Sequence, residues 1–129
     1  MAVNDPVVGE LGQIAITVSD VARAKAFYGD VLGLRFLFDA GPNLAFLAAG
    51  TVRIMLTTPQ GADAVGHNST LYFNVRSVDK AYDALGHRGA TLEHGAERVA
   101  TLSDHELWLA FVRDPDGNLV GLMEERPLA

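Results

Sequence analysis

Polar and apolar residues alternate along residues 13–18, and the pattern changes to a helical spacing along residues 21–32. Alternation predicts a β-strand with one face on a packed core, whereas apolar residues three or four apart predict a helix, here of about three turns. Ser19 or Asp20 can cap that helix through a side-chain oxygen, and Gly33 can end it. The opening of the chain therefore predicts a strand, a tight turn and a helix.

Short apolar runs separated by turn residues follow this unit. They predict three more strands, at residues 35–39, 44–49 and 52–57. Residues 1–10 predict a loose arm, and a stretch rich in Pro, Gly and polar residues at 59–68 predicts a linker. A first module therefore spans residues 11–58, in the order strand, helix and three strands.

The same pattern returns in the second half of the chain. Six apolar positions recur 57 residues after their counterparts: Leu71, Phe73, Val75, Val78, Ala81 and Leu85 after Ile14, Ile16, Val18, Val21, Ala24 and Tyr28. Ser77 can cap the second helix, and Gly86 or Gly89 can end it. A second module at residues 69–126 is completed by a loop with extra residues around 98–106 and by strands at 90–93, 107–113 and 119–124.

Composition restricts the classes of protein that fit this chain. A length of 129 residues suits a single domain with a substantial core. The net charge of −6, with only 10 Lys and Arg, disfavours a nucleic-acid partner. No apolar run approaches the roughly 18 residues of a membrane helix, and the N-terminal residues lack the pattern of a signal peptide. The absence of cysteine excludes disulfides and thiolate metal sites and suits the cytoplasm.

Two segments give the chain a family resemblance. The sequence I-A-I-T-V-S-D-V-A-R-A-K-A-F-Y-G-D-V-L-G-L at 14–34 resembles the first module of the vicinal oxygen chelate superfamily, which includes glyoxalase I, bleomycin-resistance proteins and extradiol dioxygenases. The sequence F-V-R-D-P-D-G-N-L-V-G-L-M-E at 111–124 resembles its final hairpin. With the internal repeat, the resemblance covers residues 11–126. It implies an α+β fold of two tandem βαβββ modules, curled into a half-open mixed β-barrel around a cavity, with the helices outside.

The resemblance also implies four positions for metal ligands. Metal-dependent members place one ligand on each of four strands, usually His or Gln, Glu, His and Glu, and the matching residues here are Gln13, Met55, Thr70 and Gly121. Divalent ions such as Mg, Mn, Fe and Zn are held by carboxylate oxygens or imidazole nitrogens, and none of these four residues has either group. We therefore expect the inherited metal site to be lost and no cofactor to be required.

The resemblance further implies which side chains face the cavity. If Gln13 faces it, residues of the same parity on the other strands do so as well. Trp108, the single tryptophan, can instead pack in the core, because alternation alone does not decide which face of its strand meets the helices. The ligand-binding pocket predicted in this way contains Gln13, Arg53, Met55, Thr70, Tyr72, Trp108, Gly121 and Met123.

Titratable residues elsewhere are weaker candidates. Three histidines fall in predicted loops, where solvated side chains are the simplest interpretation: His67, His94 and His105. A site displaced from the inherited one would use His94, Asp104, His105 and Glu106. Four more acidic residues are interpreted as solvated carboxylates of a hairpin and a strand end: Asp114, Asp116, Glu124 and Glu125.

Three functional hypotheses follow. The preferred one is a metal-independent protein of the glyoxalase/bleomycin-resistance type that binds a small organic molecule, because resistance by sequestration requires no catalytic group. The alternative is a lyase, isomerase or dioxygenase that uses displaced ligands or metal-free acid–base chemistry, with Gln13, His105 and Glu106 as candidate residues. The third is a regulatory or structural remnant whose cavity is filled by its own side chains. Relatives of this kind often form dimers, so the resemblance also suggests a homodimer.

Overall fold

A computed structural model describes residues 10–59, 65–66 and 69–128. His67 and most of the predicted arm and linker lie outside these residues. In chain order the elements are β1 Gln13–Thr17, α1 Val21–Lys25, a π-helix Ala26–Val31, β2 Arg35–Asp39, β3 Leu44–Ala49, β4 Val52–Thr57, β5 Leu71–Asn74, α2 Val78–His87, β6 Thr91–Thr101, β7 His105–Arg113 and β8 Leu119–Pro127.

The strands form two mixed four-stranded sheets of the same topology. The strand order is β1-β4-β3-β2 in the first sheet and β5-β8-β7-β6 in the second. In each sheet one outer pair, β1 with β4 or β5 with β8, is parallel and the other pairs are antiparallel. Neither sheet closes into a barrel, and no strand pairing joins the two within the described residues. The predicted α+β fold of two curled βαβββ modules is confirmed.

Each helix covers one face of its own sheet and leaves the other face open. α1 packs on β3 and β4, and α2 packs on β6, β7 and β8. Side chains beneath the helices of both modules join in one core that includes Tyr28, Leu47, Ile54, Leu85, Val112 and Val120. Neither helix of the described residues is long and apolar enough to cross a membrane.

The first helix changes its hydrogen-bond pattern half-way along. It begins as predicted after Asp20, whose carboxylate accepts a hydrogen bond of 3.0 Å from the Arg23 amide. It continues as a π-helix, and the Leu32 amide donates to the Phe27 carbonyl five residues earlier, at 2.9 Å. Gly33 then adopts a left-handed φ of 86°, as a helix stop requires. The apolar spacing did not predict the wider turn.

The second module differs from prediction between β6 and β7. The predicted loop is wrong, because β6 continues to Thr101 and β7 begins at His105. The Leu102 amide donates to the His105 carbonyl at 2.8 Å and closes a hairpin. Three register shifts interrupt the pairing of β6 with β7, and such bulges disturb the alternation by which a strand is recognised. The extra residues therefore lengthen a hairpin, and His94 and His105 lie on strands.

The turn between β7 and β8 joins the second module to the first helix. Asp114 is buried and accepts hydrogen bonds from the Tyr28 phenol at 2.9 Å and from the amides of Asp116 and Asn118 at 2.9 and 2.8 Å. Asp116 accepts from the Ser19 amide at 3.0 Å. The interpretation of Asp114 and Asp116 as solvated carboxylates is therefore wrong. Their role is to hold the two modules together.

Candidate functional site

The predicted pocket residues of the first module lie together on one face of its sheet. Directly paired residues of neighbouring strands point to the same side, and the buried Leu47 and Ile54 mark the helix side. The opposite side carries two cross-strand rows. We call them the open face of the first sheet: Gln13, Arg53, Ala48 and Arg35 in one row, and Ala15, Met55, Phe46 and Phe38 in the next.

Direct contacts connect these side chains. The Arg53 Nε donates to the Gln13 Oε1 at 2.6 Å, and the Gln13 Nε2 lies 3.7 Å from the Met55 Sδ. The Arg53 guanidinium lies 5.1 Å from the centroid of the Phe46 ring, which stacks on Phe38 at 4.6 Å. Phe38 is 45% exposed, so this face presents apolar area to solvent.

The pocket residues of the second module form a separate group. Tyr72 and Phe111 both pair with Gly121, and Asn74 and Leu109 both pair with Met123, so these residues share one face. The Tyr72 ring lies over Gly121, where an added Cβ would overlap a ring carbon. We call this group the open face of the second sheet: Tyr72, Asn74, Leu109, Phe111, Gly121 and Met123. Thr70 precedes β5 at its edge.

These residues do not fit the divalent metal ion that the fold family implies. The Gln13 amide oxygen already accepts from Arg53, and a guanidinium at that position repels a cation. The Tyr72 ring occupies the space in which a side chain at position 121 would begin. In the described parts of the chain, no group of three His, Cys, Asp or Glu side chains is placed to hold a metal. The residues at these positions therefore do not provide the donors that a divalent metal needs.

The residues of the proposed displaced site are not brought together. His94 pairs with Phe111 on β7, whereas His105 is the first residue of that strand, so the two histidines are about 20 Å apart along it. His105 Nδ1 lies 2.7 Å from Asp104, and the hydrogen bond and charge of His105 lower the pKa of that carboxyl. Glu106 has the parity of Trp108 and lies in another module from Gln13.

Trp108 does not lie on the open face of the second sheet, although it is one of the predicted pocket residues, and its position fits the alternative of packing against the core. It has the parity of Ala110 and Val112, which are buried beneath α2. Its indole Nε1 donates to Glu106 at 3.1 Å, and the Arg126 guanidinium lies 3.8 Å from its ring centroid. Phe111 and Leu109 take the place predicted for it. Phe111 pairs directly with Gly121, a predicted pocket position, and this pairing places Phe111 on the open face.

Glu124 also lies on the helix side and is not the solvated carboxylate predicted from sequence. Its side chain is 13% exposed and accepts hydrogen bonds from the Val78 amide at 2.8 Å and from Arg126 at 2.9 Å. Burial acts to raise the pKa of Glu124, but the Val78 hydrogen bond and the charge of Arg126 outweigh it and lower that pKa. Arg126 also bonds Asp79 at 2.8 Å, which ties β8 to the start of α2.

A cleft of about 570 Å³ lies between the two modules. Of the predicted pocket residues it contains only Thr70 and Tyr72, and none of its described lining residues is charged. The lining is mainly apolar: Ile14, Leu34, Ala49, Gly50, Val52, Ile54, Thr70, Leu71, Tyr72, Phe73 and Asn74. The size suits a small organic molecule.

Comparisons with known proteins agree with this architecture. The chain is 30% identical to the Bacillus subtilis protein YraH over 127 residues, covering 86% of this chain and 94% of YraH. A solved structure of a glyoxalase/bleomycin resistance protein/dioxygenase superfamily member from Sphaerobacter thermophilus superposes with a TM-score of 0.77 and 26% identity, over 93% of this chain and all of the other. TnmS3, an antibiotic binding protein from Streptomyces sp. CB03234, has the same fold, with a TM-score of 0.75 and 21% identity over 94% and 99% of the two chains.

The family model of the Glyoxalase/Bleomycin resistance protein/Dioxygenase superfamily matches residues 10–122, from before β1 into β8. The chain therefore belongs to the glyoxalase/bleomycin resistance protein/dioxygenase superfamily.

Proposed function

We propose that this protein binds a small organic molecule without a metal ion, as a resistance or sequestration protein does. The observation that carries the proposal is the chemistry at the four inherited ligand positions. Gln13 is held by Arg53, Gly121 is covered by the Tyr72 ring, and the remaining two positions carry a thioether and a hydroxyl. Such groups suit an organic ligand better than a divalent cation.

The open faces are the surfaces we assign to the ligand. They expose large apolar side chains beside polar groups, with Phe38 45% and Tyr72 48% exposed. Exposed apolar area rimmed by polar residues is typical of binding surfaces. Seven of the eight predicted pocket residues remain in this proposal, without Trp108: Gln13, Arg53, Met55, Thr70, Tyr72, Gly121 and Met123.

Two further considerations favour binding over catalysis. TnmS3, which shares the fold, is described as an antibiotic binding protein. The candidate acid–base residues are not gathered at one place, because Gln13 lies on the open face of the first sheet and Glu106 contacts Trp108 in the second module. A cytoplasmic setting, a small-molecule partner and a homodimer belong to the same proposal, and light scattering on purified protein tests the dimer.

Metal content is the first test. Untagged protein is incubated with Zn, Mn, Fe, Ni or Co, desalted and analysed for each element. We expect far less than one equivalent per chain, because the inherited positions lack charged or imidazole donors. Close to one equivalent of any of these metals would overturn the proposal.

Binding to the assigned face is the second test, and two phenylalanines provide a matched pair. Phe36 and Phe38 are 44% and 45% exposed, but Phe36 pairs with the core residue Leu47 while Phe38 pairs with Phe46 on the open face. Aromatic compounds found by thermal-shift screening should bind Phe38→Ala more weakly than wild type and Phe36→Ala unchanged, in calorimetric titrations. If Phe38→Ala left the affinity unchanged and Val52→Arg abolished binding, the ligand would lie in the cleft, which would contradict the assignment.

A further inference from the structure

Two arginines of the open face of the first sheet lack a carboxylate partner. Arg53 and Arg35 lie in one cross-strand row on either side of Ala48, so their Cα atoms are about 10 Å apart. Within the described residues, no carboxylate oxygen lies within 4.0 Å of either guanidinium. Both residues are exposed, and Ala48, the residue between them, has a small side chain.

Among the described residues Arg76 and Arg88 also lack an ion pair, but Arg35 and Arg53 differ from them in lying in one row on the same face of a sheet. Acidic residues outnumber basic ones by six, and four other arginines form ion pairs: Arg23, Arg98, Arg113 and Arg126. Arg53 and Arg35 lie on the same side of the sheet and neither charge is neutralised within the described residues. They therefore form a local positive site on an acidic protein. An anion between the two guanidinium groups would relieve their repulsion and accept their hydrogen bonds.

Contacts within the face orient one of these groups. The Arg53 Nε donates a hydrogen bond to the Gln13 side chain, and the Arg53 guanidinium lies over the Phe46 ring. The two terminal nitrogens have no hydrogen-bond partner among the described residues. A guanidinium fixed at Nε presents its remaining donors as a fork, which matches the paired oxygens of a carboxylate or phosphate.

The neighbouring row places apolar side chains beside the two arginines. Phe38 and Phe46 stack with an interplanar angle of 28°, and Met55 pairs directly with Phe46. Phe38 leaves part of its ring exposed, and an aromatic ligand can extend this stack. The thioether of Met55 adapts to the edge of such a ring.

We infer that the open face of the first sheet binds planar aromatic anions, with the oxyanion held by Arg53 and Arg35 and the ring stacked on the exposed Phe38, beside Met55 and above the buried Phe46. The inference rests on the proposed function, because it names the ligand class for the same face. The charged group is a carboxylate or a phosphate, and the ring is flat and aromatic.

Three probes with the same ring system separate charge from shape. Calorimetric titrations use 1-naphthoate, 1-naphthyl phosphate and the neutral 1-naphthalenemethanol, at low salt and at about 0.15 M salt. Both anions should bind at least about 10-fold more tightly than the neutral compound. Added salt should lower the affinity for the two anions and leave that for the neutral compound unchanged. The tighter of the two anions identifies the charged group.

Variants then locate the site. Arg53→Gln and Arg35→Gln should each weaken anion binding about 10-fold and leave the neutral compound unchanged. Arg53→Lys should retain part of the affinity, since it keeps the charge without the planar fork. Arg76→Gln is the matched control, because Arg76 is also exposed and without an ion pair in the described residues but lies outside the sheets, after β5. Circular dichroism checks that each variant is folded.

The possible failures are distinguishable. Equal binding of all three probes, or anion binding that Arg76→Gln weakens as much as Arg53→Gln, overturns the inference and leaves the proposed function standing. Failure of both anions to bind at millimolar concentration also overturns it. Stoichiometric metal in the elemental analysis overturns the proposed function itself, whatever the probes do.

Discussion

The phenol of Tyr28 donates a hydrogen bond of 2.9 Å to the carboxylate of Asp114, and both side chains are buried. The bond joins the first helix to the last hairpin, 86 residues away. Because one partner is a charged group, Tyr28→Phe should lower the free energy of unfolding by about 1–3 kcal/mol in urea denaturation followed by circular dichroism. Tyr82→Phe is the control: Tyr82 is half-buried and its hydroxyl has no hydrogen bond among the described residues. Equal losses in both variants would contradict the prediction.

The same residue predicts a loss of stability at alkaline pH. Burial, followed by the negative charge of Asp114, raises the pKa of the Tyr28 phenol above its usual value. The unfolded chain therefore releases this proton near pH 10 while the folded chain keeps it, and the free energy of unfolding falls as pH rises further, by about 1.4 kcal/mol per pH unit from this group. Tyr28→Phe lacks this effect, so the difference in free energy of unfolding between wild type and variant should narrow above pH 10. A gap that stays constant in urea titrations from pH 8 to about pH 11 would refute the assignment.

The strands of the first module were predictable because turn residues separate short apolar runs. β2, β3 and β4 have the predicted bounds. The buried role of Asp114 was not predictable, since it depends on a partner in the other module. The face of Trp108 was ambiguous because β7 carries large apolar residues on both sides, with Leu109 and Phe111 opposite Trp108 and Val112. In both cases the local sequence pattern fits two positions, and contacts with distant residues decide between them.

The close approach of Tyr72 to Gly121 predicts a steric coupling. Gly121→Ala adds a Cβ that overlaps the Tyr72 ring, so the half-exposed ring must move off β8. We expect a loss of stability of about 1 kcal/mol, at the low end for overpacking, because the ring can rotate toward solvent. In a Tyr72→Ala background the same substitution should cost much less. Thermal denaturation of the two single variants and the double variant measures this coupling, and additive losses would contradict it.

The lowered pKa of Glu124 predicts how the free energy of unfolding depends on pH in the acidic range. A carboxyl whose pKa is lower in the folded chain contributes stability above its unfolded pKa, and that contribution is lost as pH falls through the folded value. Glu124→Gln should therefore be about 1–3 kcal/mol less stable than wild type at pH 7, and the difference should shrink below about pH 4. The neighbouring Glu125→Gln is the control, since Glu125 is 58% exposed and its ion-pair distance to His105 is 3.9 Å. If Glu124 had no such role, urea titrations would give a difference in free energy of unfolding between wild type and Glu124→Gln that does not change across this pH range.

The position of Trp108 beneath Arg126 predicts what its fluorescence reports. Because the guanidinium covers the indole at 3.8 Å, Arg126→Gln should shift the emission to longer wavelength and increase quenching by acrylamide. A ligand on the open face of the first sheet is in the other module from this indole. Benzoate, which absorbs little of the light that excites tryptophan, should therefore bind in calorimetry and leave the Trp108 emission unchanged. A large emission change on adding benzoate, abolished by Arg126→Gln, would place the anion at Arg126 on the helix side of the second sheet and would contradict its assignment to Arg53 and Arg35.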